Sequence, residues 1–245
     1  MHRLLFLAVV LFGFVPQGVG QQLYMEVGKS RSAFNFWNSE GEELDGLEST
    51  LRDFAAIGFR KHVHKKVPRL HYVLGASYNR YGARGTSLDE YKYYYDWDAI
   101  FIGTHFGVEY DFLTIRDKSK ANRGLTFYAR LALAPEFFVK GTQTIDDQVV
   151  DLMGVEQFDS PYFFMRGGAG VNYCLSNTVA IFAQYMYGKG VRLFEAKPDD
   201  NETLHIITHH LGFGVFVNLP HCRYCFPQTK PRKGGSGGSK GTMKK

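Results

Sequence analysis

Histidines are the residues of this 245-residue chain whose chemistry could be catalytic or metal-binding. Those considered are His62, His64, His71, His105, His205, His209 and His210. A catalytic histidine needs a serine and an acid beside it, and the sequence contains no His-x-Ser pairing. In a strand, the four residues from His205 to His209 span roughly 13 Å, too far for both to bind one metal ion. We therefore expect a protein that is not an enzyme and that carries no metal and no cofactor.

A second set of charged and histidine residues occupies alternate positions within apolar segments. Its members are Glu26, Arg60, His105, Glu109, Arg130, Glu136, Arg166 and His210. Three glutamates against three arginines predict a paired network, because an unpaired ion in a narrow dry space costs several kcal/mol. Such a network could form a narrow ion path, or it could be a plug that holds the surrounding wall rigid. The plug is the favoured interpretation.

Strands must position these residues, because apolar and polar residues alternate with a period of two along most of the chain. In the segment 125–133, for example, leucine, phenylalanine and alanine occupy the odd positions. Eight such segments are predicted, at 22–37, 53–63, 69–81, 97–113, 123–140, 161–174, 178–189 and 204–219. The polar residues of the second set fall on one face of these strands.

The connections between the segments alternate between long and short. The long ones, at 38–52, 82–96, 141–160 and 190–203, contain 17 of the 24 acidic residues. This pattern predicts an all-β, eight-stranded antiparallel transmembrane β-barrel with long acidic outer loops and short periplasmic turns. Connection 141–160 is more apolar than an exposed loop should be. It is expected to fold over the barrel mouth or to form a docking surface.

Two other classes of fold fit the sequence less well. A helical membrane protein is excluded, since no apolar run after the first fifteen residues reaches the ~20 that a spanning helix needs. A soluble eight-stranded barrel remains an alternative. It would have to expose the continuous apolar face to water or bury the charged set, so the membrane barrel is favoured.

The two ends of the chain differ in composition from the barrel at 21–219. Residues 1–20 begin with a short basic segment, continue with an apolar stretch and end with small residues, which predicts a signal peptide. Residues 220–245 carry seven Lys and Arg and no acid, and are expected to form a flexible basic periplasmic tail. Its CxxC, Cys222 and Cys225, is expected to form a local disulfide in an oxidising compartment.

The net charge of the barrel differs from that of the whole chain. Without Arg3 and the seven tail cations, the net charge of +5 becomes −3 for residues 21–219. The basic pI of 9.0 is therefore a property of the tail. No nucleic-acid motif is found, and no nucleic-acid partner is expected.

Three segments share the spacing polar-x-Gly-x-x-apolar-x-apolar, beginning at His105, Arg166 and His210. The glycines are expected to let a small barrel bend, and the apolar pair is expected to face lipid. The last copy resembles the signal by which the outer-membrane assembly machinery recognises a final strand, although a 28-residue tail follows it here. Its residues are His210, Gly212, Val215 and Val217.

Four motifs carry a resemblance that covers residues 21–219. They are Leu23-Tyr24-Met25-Glu26-Val27-Gly28-Lys29, Leu74-Gly75-Ala76-Ser77-Tyr78, Phe182-Ala183-Gln184-Tyr185-Met186-Tyr187-Gly188 and Leu211-Gly212-Phe213-Gly214-Val215. With these motifs the chain resembles the small outer-membrane β-barrel families of Bacteroidota, the OmpA-like and PorT-like barrels. The resemblance implies an outer-membrane location, with outer-membrane lipid and the barrel-assembly machinery as partners. It is not specific for activity. The strand count places both termini in the periplasm.

The expected function is that of a structural or accessory component of an envelope assembly, such as one for protein secretion, built around a side-chain-filled lumen. An envelope protein is the partner expected at the loops or the tail. A small-solute or ion channel is the first alternative. An outer-membrane lipid-modifying enzyme that uses His209 or His210 is the second.

Overall fold

A computed structural model describes most of the central part of the chain. The described residues are 21–37, 47–64, 67–86, 94–116, 124–145, 148–155, 158, 160–176, 178–193 and 203–219. The predicted signal peptide and the basic tail with Cys222 and Cys225 lie outside them. Within them, no helix is long and apolar enough to cross a membrane.

Antiparallel strands make up almost all of the described chain. They are β1 (Gln21–Trp37), β2 (Leu47–His64), β3 (Val67–Thr86), β4 (Tyr94–Arg116), β5 (Gly124–Ile145), β6 (Gln148–Asp151), β7 (Tyr162–Cys174), β8 (Val179–Arg192) and β9 (Thr203–Asn218). Eight of these close into a barrel, because β1 pairs with β9 and β4 pairs with β5. The predicted eight-stranded antiparallel barrel is confirmed. The short β6 forms a hairpin with β5.

The closure of the barrel depends on a long pairing between its first and last strands. The register runs from Gln22 opposite Asn218 to Trp37 opposite Thr203. This pairing removes the two open edges that a flat sheet would expose. We call the end of the barrel that holds Gln22 and Asn218 the turn end, and the opposite end the loop end.

Five strands reach at least three residues further toward the loop end than predicted, and one of them is β8, which ends at Arg192 instead of 189. β2 begins at Leu47 instead of 53, β3 ends at Thr86 instead of 81, and β4 begins at Tyr94 instead of 97. β5 likewise ends at Ile145 instead of 140. Inward residues such as Ala83 remain buried there, while exposed polar residues such as Glu48 and Arg84 are frequent, so the barrel wall continues beyond the apolar alternation. The predicted acidic loops are correspondingly shorter.

The two faces of the barrel wall have opposite character. The outward face of the middle of the barrel carries large apolar side chains that are exposed, among them Met25, Val27, Ile57, Phe106, Leu131, Met165, Ile181, Leu211 and Phe213. The inward face carries most of the buried polar and charged side chains. A soluble barrel has the reverse arrangement, because water favours polar groups on the outside.

Candidate functional site

The lumen is the candidate site, since all eight residues of the predicted polar network point into it. Seven of them are buried and His105 is half-buried. They come from six different strands, so only the closure of the barrel brings them together. Five of them belong to two ion clusters, and Glu26, His105 and His210 line a cavity between these clusters.

The basal ion cluster lies toward the turn end and consists of Arg60, Glu109, Asp111 and Arg130. Glu109 is fully buried and bridges two arginines, with its Oε1 2.5 Å from Arg60 Nη2 and its Oε2 2.7 Å from Arg130 Nη2. Arg60 Nη2 also lies 2.9 Å from Asp111 Oδ1. Two guanidinium groups and two carboxylates therefore neutralise one another inside the wall.

The upper ion cluster lies toward the loop end and consists of Asn79, Tyr81, Glu136 and Arg166. Arg166 Nη2 donates to Glu136 Oε1 at 2.6 Å and to the Tyr81 hydroxyl at 2.7 Å. Tyr81 in turn donates to Glu136 Oε2 at 2.8 Å, and Asn79 Nδ2 donates to Oε1 at 2.8 Å. Both oxygens of the buried carboxylate are thus satisfied, as burial of a charge requires.

Glu26 departs from the predicted pairing of three acids with three arginines. Its Oε1 accepts a hydrogen bond from Gln184 Nε2 at 2.7 Å, and it forms no salt bridge among the described residues. The acid that completes the basal ion cluster is Asp111, which the sequence pattern had not singled out. Pairing between strands, rather than spacing along the chain, decides which acid meets which arginine.

A cavity of about 50 Å³ separates the two clusters. Its lining includes Glu26, His105, Arg130, Arg166, Gln184 and His210. His105 Nε2 contacts the Tyr24 hydroxyl. Such a volume holds only a few water molecules. The cavity is far smaller than the ~300–1,000 Å³ of an ordinary small-molecule site.

Two of the three repeated glycines, Gly168 and Gly212, make room for a large side chain inside the barrel. The bend expected of the glycines stays a prediction. A Cβ at Gly212 would collide with the Glu26 carboxylate. A Cβ at Gly168 would lie 2.8 Å from both Cα and Sδ of Met186 and would collide with a backbone oxygen. In the proposed assembly signal, His210 and Gly212 accordingly point inward, while Val215 and Val217 occupy the outward positions of β9.

The mouth at the loop end is filled by residues of the connection after β6, which we call the outer plug. Leu152 is 1% exposed and Phe158 is 5% exposed. They pack against apolar residues from the loop ends of the barrel strands: Phe34, Tyr81, Ala83, Ala99, Phe101, Ala134, Tyr162, Phe164, Leu204 and Ile206. A backbone hydrogen bond from Leu152 to Gly141 of 3.0 Å fastens the plug to β5. The expectation that this connection folds over the mouth agrees with the structure.

The lumen near the turn end is narrowed by a second apolar cluster. It consists of Tyr24, Val73, Cys174, Ala180, Phe182 and Phe216. The Arg60 guanidinium lies 5.2 Å from the centre of the Phe216 ring, and Arg130 lies 5.7 Å from that of Tyr24. These cation–π contacts hold the arginines of the basal ion cluster against aromatic side chains.

A serine–histidine contact inside the barrel was missed by the sequence analysis. Ser30 Oγ lies 3.3 Å from His210 Nε2, because β1 and β9 place the two residues directly opposite each other. Both side chains are buried, and among the described residues no acid is bonded to His210. The contact therefore lacks the third member of a catalytic triad and an approach for substrate.

His209 lies on the outside of the barrel, as its position next to the inward His210 predicts. Its Nδ1 is 2.6 Å from the Tyr185 hydroxyl, and its ring packs edge-on against Tyr187 at 5.3 Å. The side chain is exposed. Its neighbours are thus the aromatic residues of β8 rather than a serine or a metal ligand.

One group of side chains has the composition of a metal site. Ligand atoms of His71, Glu109 and Asp111 lie within 4.8 Å of one another. Arg60 Nη2 is within reach of all three, at 3.2 Å from His71 Nδ1 as well as in contact with both carboxylates. A guanidinium of the protein itself therefore occupies the place that a cation would take.

Comparisons with known proteins give matches only at the level of structure. No family model and no curated protein matches the chain. Neisserial surface protein A is 13% identical with a TM-score of 0.43, covering 80% of this chain and 97% of that one. The outer membrane protein OprG from Pseudomonas aeruginosa is 12% identical with a TM-score of 0.46, covering 81% and 96%. Ail of Yersinia pestis is 11% identical with a TM-score of 0.34, covering 81% and 99%. Similarity this low supports no conclusion about activity.

Proposed function

We propose that this chain is an outer-membrane barrel with a sealed lumen that serves as a structural or accessory component of an envelope assembly. The outer plug is the observation that carries the proposal. Leu152 and Phe158 fill the mouth above two ion clusters. In each cluster the charged side chains form salt bridges with one another. A barrel with this interior acts through the parts that it exposes to the outside.

The apolar exterior supports a location within a lipid bilayer. Transmembrane barrels turn an apolar band toward lipid and keep polar residues inside, which is the arrangement of this wall. We place the loop end outside the cell and both termini in the periplasm. The assignment to barrels of Bacteroidota, the use of the assembly machinery through β9, and a role in protein secretion belong to the same proposal.

Two alternatives have less support from the geometry. A solute or ion in a channel would have to pass the outer plug and then the basal ion cluster, where Glu109 and its arginines are in direct contact. A lipid-modifying enzyme would need a serine, a histidine and an acid near the rim, whereas Ser30 and His210 are buried inside the wall. The proposal therefore assigns the chain no catalysis.

The hairpin of β5 and β6 offers an exposed apolar surface at the loop end. Val149 is 68% exposed and Met153 is 63% exposed, although Leu152 between them is buried. Exposed apolar groups outside a bilayer are unfavourable unless a partner covers them. The hairpin and the basic tail are thus the two regions through which a partner protein would be held.

A pull-down from mild-detergent outer membranes tests this role. The tagged full-length chain is expected to retain defined protein partners. Two variants are compared with it: one lacks residues 220–245, and the other carries Val149→Ser and Met153→Ser. The variant that loses the partners identifies the region that contacts them. Unchanged migration of the unheated protein on a denaturing gel controls for folding. Absence of partners from the full-length chain would contradict the accessory role.

A further inference from the structure

Three cationic side chains and one histidine form a group on the outside of β8, β9 and β1, here called the cationic face. Its members are Lys29, Arg31, Lys189 and His209, all of them exposed. Arg31 lies directly opposite His209, Lys29 opposite Leu211, and Lys189 opposite Ile207. Residues opposite each other in adjacent antiparallel strands are about 5 Å apart. The four side chains therefore share one continuous surface.

The charges of this face are largely uncompensated by the described part of the chain. Lys29 Nζ lies 2.6 Å from Asp53, which is the one ion pair that the group forms with a described residue. Arg31 Nε donates to the neutral Ser49 hydroxyl at 2.6 Å. Lys189 forms no salt bridge with a described residue. Within the described part of the chain, Arg31 and Lys189 thus have no acid as a partner, and their charges can bind an anion.

The cations at the loop ends of β2 and β3 show a contrasting arrangement. Arg84 lies 3.2 Å from Asp96, Arg52 lies 3.2 Å from the same residue, and Arg80 pairs with Asp98. The acids come from β4, the next strand around the barrel. Among the described residues, the cations at the loop ends of β2 and β3 are therefore paired with acids, whereas on the cationic face only Lys29 is.

An apolar surface continues from the cationic face toward the turn end. Val27 on β1, Leu211 on β9 and Tyr185 on β8 lie two to four residues below the cations and are exposed. Phe213 follows Leu211 at the next outward position. A cationic group that borders an apolar surface is complementary to a lipid, whose anionic headgroup would lie at the cations and whose acyl chains would lie along the apolar side chains.

We propose that the cationic face binds the phosphate of a phosphorylated lipid in the outer leaflet of the membrane. The Arg31 guanidinium and the Lys189 ammonium donate charge-assisted hydrogen bonds to phosphate oxygens. The acyl chains of the same lipid lie along Val27, Leu211 and Phe213. This inference rests on the proposed membrane location and orientation of the barrel, but not on its sealed lumen.

Native mass spectrometry of the full-length chain in mild detergent, titrated with bisphosphorylated lipid A, tests the inference. Removing two charged donors by Arg31→Gln together with Lys189→Gln is expected to weaken binding at least about tenfold. The control carries Arg80→Gln and Arg84→Gln, also near the loop end, and is expected to bind like the unaltered chain. Dephosphorylated lipid A is expected to bind weakly to the unaltered chain. Its affinity should equal that of bisphosphorylated lipid A for the Arg31/Lys189 variant.

Several results would overturn the inference. Equal binding by the Arg31/Lys189 variant and the unaltered chain would show that these cations do not hold the lipid. Equal binding of the dephosphorylated lipid would show that phosphate is not recognised, and displacement by millimolar inorganic phosphate would indicate a site for the free anion. Absence of lipid binding would overturn this inference but would not contradict the sealed lumen. Ion conduction by the barrel would overturn the proposed function but would not contradict this inference.

Discussion

Replacing Glu109 with glutamine is expected to lower the free energy of unfolding by roughly 3–5 kcal/mol, the usual effect of removing one partner from a buried ion pair. Glu109 is fully buried, and its two oxygens contact Arg60 and Arg130. In the variant, Arg60 keeps Asp111 at 2.9 Å, but Arg130 loses the only acid with which it forms a salt bridge among the described residues. Denaturant unfolding of the barrel in detergent micelles measures the difference.

Asp53→Asn is the matched control for this variant. Asp53 also forms an ion pair, with Lys29, but both side chains are exposed on the outside of the barrel. Exposed pairs contribute little because solvent screens them, so no measurable change in unfolding is expected. If Glu109→Gln were as harmless as the control, the basal ion cluster would have to be hydrated, and the interior would not be sealed at that level.

Replacing Leu152 with alanine is expected to destabilise the outer plug by roughly 2–5 kcal/mol, because it removes a buried leucine from an apolar cluster. Leu152 belongs to a connection that can open without unfolding the barrel, so the loss should appear as local opening. Hydrogen exchange at the Leu152 amide, which bonds to Gly141 at 3.0 Å, reports this opening. Exchange is expected to accelerate by roughly 30- to 4,000-fold.

The neighbouring methionine supplies the control for the outer plug. Met153 is the next residue along the chain and its side chain is exposed. Met153→Ala removes a similar apolar volume without touching the cluster, so exchange at the Leu152 amide should stay near its original rate. Equal acceleration in both variants would mean that burial of Leu152 does not hold the mouth closed.

The wall and its inward residues could be predicted from the sequence because they depend on local alternation. In a strand, side chains two apart share a face, so one correct assignment such as Arg130 fixes the face of its whole segment. The position along the barrel at which each strand ends could not be predicted in this way. β2 continues to Leu47 through a stretch in which polar residues predominate, and such a stretch resembles a loop in the sequence.

Which acid meets which arginine could not be predicted, because it depends on the register between strands. Glu109 reaches Arg60 across 49 positions of sequence, and Glu26 meets Gln184 across 158. The close approach of Ser30 and His210 has the same origin. The pattern of residues along one strand does not show which residues of the other strands they will contact.

The outer plug and the cationic face illustrate two further limits. The apolar residues of the connection 141–160 indicated burial or docking, but which of them turn inward depends on the hairpin of β5 and β6. Arg31 and Lys189 lie far apart in the sequence. They become neighbours only because β9 lies between β1 and β8 in the closed barrel.

Recording from the unaltered full-length chain in a planar lipid bilayer tests the sealed lumen most directly, with insertion verified by flotation of vesicles made from the same preparation. The outer plug and the basal ion cluster predict no discrete conductance at either polarity. Discrete, reproducible conductance that changes when Arg130 or Arg166 is substituted would contradict the sealed lumen, and it would establish an ion path through the barrel.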